Sequence, residues 1–156
     1  MATTNHLFLG KFLGDERIMY EINGVKVSER GWAGHFICAD RCKFRRNTLL
    51  EYGDKKWIVS TVGAMPQSEI LRKIPEFCSE NGFETIGLDR YYETMVFEAQ
   101  QVGNADSETV YWDANVSEPI DFDSNWAIGN CDFGTDLEAN EMHENVVKEL
   151  IDKIKL

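Results

Sequence analysis

Three side chains able to bind a metal or move a proton fall close together in this sequence: His35, Cys38 and Cys42. On a helix they would share a face and could begin a zinc site, completed by Cys78, Cys131 or His143. The paired C-x2-C unit of common zinc sites is missing, however. Gly31, Gly34 and the alternating flanks predict a strand over Gly31–Cys38. On such a strand His35 and Ile37 point one way, and Trp32, Phe36 and Cys38 the other. That separation also keeps His35 from acting as the base for a Cys38 nucleophile. The expectation is therefore buried structural thiols, no cofactor and no metal.

A second group is the basic run Arg41, Lys43, Arg45 and Arg46, with Trp32, Phe36, Phe44 and Trp57 nearby in sequence. Guanidinium groups beside aromatic rings can hold a phosphate or a base, so His35, Arg45 and Arg46 are the candidate residues of a small-ligand or nucleotide site. Alternation puts Arg46 on the side of its apolar neighbours, where it would need a carboxylate if enclosed. A third group, Asp121, Asp123, Asn125 and Asp132, matches positions 1, 3, 5 and 12 of a calcium loop. Trp126 stands where that loop requires Gly, and Asp132 where it usually has Glu, so local Asp turns are expected instead. There is no Gly-rich phosphate loop and no GxSxG elbow.

Charge is distributed more unevenly than these groups suggest. The net charge is −11, the wrong sign for a protein that binds nucleic acid over its whole surface. Residues 1–78 carry 12 basic and 9 acidic side chains, and residues 79–156 carry 4 and 18. Between Arg90 and Lys148 lie 57 residues without a Lys or Arg, holding 13 Asp or Glu. Within that window Glu93, Glu98, Asp106, Glu108, Asp113, Glu118, Asp121 and Asp123 are the candidate residues of a negative surface for a basic protein partner. Long-range attraction speeds such an encounter, and carboxylates on adjoining strands can occupy a groove built for phosphates. The bland alternative is a solvated face, or one lying against Arg41, Lys43, Arg45 and Arg46.

Periodicity indicates the helices and strands on which these groups would sit. Ile18, Tyr20 and Ile22 alternate, Asn23-Gly24 suits a tight hairpin turn, and Val25 and Val27 resume the pattern. Strands are expected at about Cys42–Tyr52 and Trp57–Val62, joined through Gly53-Asp54, making an antiparallel meander. After Pro66, the spacing of Ile70, Leu71, Ile74, Phe77 and Cys78 predicts a middle helix, kinked at Pro75 and stopped at Asn81-Gly82. Strand patterning returns over Phe83–Leu88 and Tyr92–Val102, and a second hairpin comes at Val110–Val116. The tail predicts a helix capped by Thr135 or Asp136, with Val146, Val147, Leu150, Ile151 and Ile154 as its buried stripe and His143 at its edge.

With 156 residues and 43% apolar composition, the chain is expected to form a single domain over residues 1–156. The fold class expected is α+β: antiparallel meander and hairpins packed by a C-terminal helix and a Pro-kinked middle helix. Leu7 to Gly14, interrupted by Lys11, is too short for a membrane span or a complete signal sequence, which points to the cytoplasm and reduced thiols. The functional expectation is a small, acidic, non-enzymatic binding protein, acting as an inhibitor or nucleic-acid mimic on a basic partner and touching neither nucleic acid nor membrane itself. The alternative is a ligand-binding domain or enzyme organised around His35, Arg45 and Arg46.

Overall fold

The computed structural model describes residues 6–12, 15–30, 34–36, 38–87, 89–102, 111–120, 127–129 and 135–154. Five strands succeed one another as a meander: β1 (His6–Phe12), β2 (Asp15–Ile22), β3 (Val25–Arg30), β4 (Phe44–Tyr52) and β5 (Lys55–Gly63). Asn23 and Gly24 both take positive φ, 55° and 84°, the backbone that a two-residue hairpin between β2 and β3 requires. A short strand β6 (Met65–Pro66) pairs with β7 (Phe83–Glu84) in a sheet of its own, and the helix α1 (Glu69–Arg72) lies between them in the chain. The main sheet continues with β8 (Tyr92–Val102), which lies beside β5, and then with β9 (Tyr111–Ile120) and β10 (Ala127–Ile128), both paired to β8. Every pairing among the described residues is antiparallel. The helix α2 (Thr135–Ile154) lies across the sheet, giving an α+β arrangement.

Side-chain alternation sorts the interior into two faces. Val25, Val27, Leu50, Val59 and Val96 meet Val146, Val147, Leu150 and Ile151 of α2, so the predicted helix stripe is the buried one. Leu49, Ile58, Phe97 and Ala114 pack together on the opposite face. Beside them Val62 joins Ala39, Cys42, Met65 and Ile86. The centre of β5 is thus buried on both faces, and its sequence reads as a continuous apolar and Ser/Thr run.

Three expectations need correction. The middle helix is only the single turn of α1, begun where Ser68 Oγ accepts the Leu71 N–H. Pro75 lacks an N–H and disfavours helical backbone at Ile74, so the helix stops before the kink it was expected to show. Gln67 organises the loop after α1: its amide donates to the Phe77 carbonyl, and its Oε1 accepts the Ser79 N–H at 3.0 Å. Ile70 and Phe77 are consequently exposed, not a buried stripe.

The second correction concerns Gly31–Cys38. Its described residues form bends and a turn leading into a 3-10 turn at Ala39–Arg41. Gly34 has a φ of +115°, outside strand geometry, and a Cβ there would sit 2.3 Å from Val62 Cγ1. Of the expected strand Phe83–Leu88, only β7 is strand among the described residues.

Gly63 carries a sharper steric demand. A Cβ there would lie 2.3 Å from Tyr92 Cδ1 and 2.7 Å from the Tyr91 carbonyl oxygen. Tyr92 is the register partner of Gly63, and its hydroxyl donates to Asp136 of α2 at 2.6 Å. We expect Gly63→Ala to cost about 1–3 kcal/mol in urea denaturation, because the backbone oxygen cannot move aside as a side chain can. An unchanged midpoint would show that β5 and β8 are farther apart at this point.

Candidate functional site

The face of the sheet away from α2 carries the first polar constellation. His35 Nδ1 is 2.9 Å from Ser60 Oγ, its Nε2 is 3.4 Å from Glu93 Oε2, and its ring tilts over Phe97 at a centroid distance of 5.5 Å. Arg90 Nη1 donates to the other Glu93 oxygen at 2.9 Å. The His35 hydrogen bond and the Arg90 charge outweigh burial and hold the Glu93 carboxyl below the usual carboxylate range. A carboxylate only accepts, so the hydrogen on His35 Nε2 points to Glu93. Serine, imidazole and carboxylate in this order are the parts of a nucleophile–base triad. Ser60 has no exposed surface and lies under Gly34 and His35 on a central strand. What the arrangement does is clip the Gly34–Arg41 segment to the sheet.

The helix face carries the second. Arg46 makes ion pairs with Glu29 at 2.8 Å and Glu144 at 2.6 Å, and donates to Asn140 Oδ1 at 2.8 Å. Burial works against its charge, but Glu29 and Glu144 outweigh it and leave its pKa raised. The carboxylate that its enclosure was expected to demand is therefore supplied twice. Beside it His143 is wholly buried between Thr48 and Thr61, with Nε2 and Nδ1 each 2.7 Å from a threonine hydroxyl. An edge position was expected for it. The reason for the difference is legible afterwards: His143 stands three and four residues before Val146 and Val147, on the same helical stripe, and polar Thr48, Thr61 and Thr94 sit opposite it. Those threonines, with Glu29 and Glu144, are the residues that reading the sequence passed over.

The ligand group expected from the sequence is divided. Arg46 faces α2, whereas His35 lies on the other side of the sheet with Ser60 and Glu93. Arg45 alternates away from Arg46, is exposed, and lies close enough to Cys42 to favour its thiolate against burial, which pushes that thiol up. Cys38 packs at the Val62 cluster, beside Phe36. Among the described residues no three His, Cys, Asp or Glu side chains are arranged to hold a metal ion.

Of the acidic candidates, Glu93 is half-buried and engaged, so it does not belong to an open surface. Glu98 is exposed, at an irregularity where it alone in β8 stands opposite the four residues from Asn115 to Glu118 of β9. Asp113 and Glu118 are placed on β9. Asp106, Glu108, Asp121 and Asp123 lie outside the described residues, as does the calcium-like register around Asn125. Helix α2 adds exposed Asp136, Glu138 and Glu141, of which Asp136 accepts the Tyr92 hydroxyl.

The chain is thus an α+β protein in which one long C-terminal helix covers an antiparallel sheet, with the polar layer of His143 lying between two apolar clusters, Ala139 and Met142 with Tyr92 on one side and Val146 to Ile151 on the other. No protein-family model, curated protein or solved structure matches the chain. Among the described residues no helix is long and apolar enough to cross a membrane.

Proposed function

We propose that this is a small, acidic, cytosolic and non-enzymatic binding protein that engages a basic protein surface through carboxylates of its second half, as an inhibitor competing with nucleic acid. The observation that carries the reading is the 57-residue window with 13 acidic and no basic side chains. Glu98, Glu138 and Glu141 support it, being exposed and making no ion pair among the described residues. Charges left open in this way retain their field for a partner, whereas those of Glu93 and Glu144 are neutralised within the fold.

Affinity capture at two salt concentrations tests it, because the Debye length falls from about 10 Å at 0.1 M to about 3 Å at 1 M. A basic partner should be retained at the lower salt and released at the higher. Reversing Glu98, Glu138 and Glu141 to Lys together should abolish capture while changing stability by only about 0.5 kcal/mol per site, since exposed charges contribute little. Glu93→Lys is not part of that set, because it would break the contacts to His35 and Arg90. A captured partner indifferent to both salt and the reversals would make the acidic window a solvated face.

A further inference from the structure

His143 is held at both ring nitrogens, and its neighbours determine in which direction each hydrogen bond runs. Thr48 Oγ1 lies 3.1 Å from Glu29 Oε1 and donates to it, since a carboxylate cannot donate. Thr48 must then accept from His143, which puts the imidazole hydrogen on Nε2. Nδ1 is left bare and accepts the Thr61 hydroxyl, and Thr61 in turn accepts from Thr94 at 2.6 Å. The chain runs one way, from Thr94 through Thr61, His143 and Thr48 to Glu29, and Arg46 binds its last carboxylate. It joins β8, β5, α2, β4 and β3 in a single line.

We propose that His143 is an acid-sensitive latch between α2 and the sheet, closed only as the neutral Nε2–H tautomer. A proton added to Nδ1 turns that atom into a donor facing the Thr61 hydrogen. Thr61 would have to reverse, and the displaced Thr94 hydrogen would need a new acceptor at a position with no exposed surface. The charged groups around the ring do not help it. Arg46 on β4 repels a second cation, and Glu29 on β3 and Glu144 on α2 already direct oxygens to Arg46. Tyr20 on β2 faces the same two carboxylates, and burial together with their charge keeps it protonated.

Geometry and energetics agree in sign. Burial first, and Arg46 second, lower the His143 pKa from 6.5 to about 3. The unfolded chain takes up a proton below 6.5 and the folded chain does not, so this group's contribution to stability is complete above pH 6.5 and is lost as the pH falls toward about 3. Between pH 7 and pH 4 the ratio of folded to unfolded protein should fall on the order of a hundredfold from this group alone.

Two measurements on the full chain test the latch. Long-range proton–nitrogen NMR of the wild type should show a His143 ring with hydrogen on Nε2, bare Nδ1, and no titration from pH 8 to 4.5. Urea denaturation at pH 7 and pH 4 should show a smaller loss in His143→Gln than in the wild type, because an amide can donate to Thr48 and accept from Thr61 without taking a proton. An Nδ1–H tautomer, a ring titrating near pH 6.5 in the folded protein, or an equal pH loss in both proteins would overturn the proposal. If the variant does not fold, the wild-type spectrum decides alone.

Discussion

Phe97→Ala should lower the stability of this protein by about 3–5 kcal/mol, the range for removing a buried aromatic side chain and leaving part of its volume empty. Phe97 is 1% exposed and packs against Leu49, Ile58 and Ala114, with half-buried Met95 and Ala99 beside them. Its ring also supports the imidazole of His35, so the variant should loosen the clip that holds Gly34–Arg41 on the sheet. Urea denaturation gives the first effect, and amide exchange of Ala39 and Cys42, whose N–H groups bond within that segment, gives the second. Phe97→Leu keeps most of the volume and should cost less than about 1.5 kcal/mol. Equal losses for the two variants would mean that the ring is not packed as described.

The counterpart on the helix face is Leu150→Ala, expected to cost about 2–5 kcal/mol. Leu150 belongs to the cluster that Val146, Val147 and Ile151 form with Val25, Val27, Leu50, Val59 and Val96, so its loss opens a cavity between α2 and the sheet. Leu137, 73% exposed on the same helix, supplies the control. Leu137→Ala should shift the denaturation midpoint by no more than a surface substitution does, about 0.5 kcal/mol. A Leu150 variant no less stable than the Leu137 variant would mean that α2 does not lie on the sheet through this stripe.

Local rules carried much of the fold. The alternation around Asn23-Gly24 and Gly53-Asp54, and the 3.6-residue stripe of the tail, describe patterns that depend on neighbours close in the chain, and β2 to β5 and α2 stand where those patterns place them. The rules failed where a local pattern had two readings. Ile70 to Cys78 has helical spacing, yet Pro75 and the hydrogen bonds of Gln67 hold it as one turn and a loop. Gly31 to Cys38 alternates like a strand, yet Gly34 has a positive φ, and the described residues around it form bends and a turn.

The candidate sites show the same division. Composition and order alone establish the acidic window, because charge counts need no partner. Pairing across the sheet decides the rest. Glu93 faces His35 across 58 residues of chain, and Arg46 meets Glu144 across almost a hundred. No periodicity within either segment encodes such a meeting, since it depends on which strand lies beside which and on the face to which each residue alternates. The antiparallel strands, the amphipathic tail helix and the sign of the second half's charge were legible in the order of residues. That His35 and Arg46 stand on opposite faces, that Glu93 is neutralised, and that His143 is sealed among threonines came from the folded arrangement alone. Short-range patterning sets which face of an element is apolar, while burial and the matching of donors to acceptors are settled by residues distant in the chain.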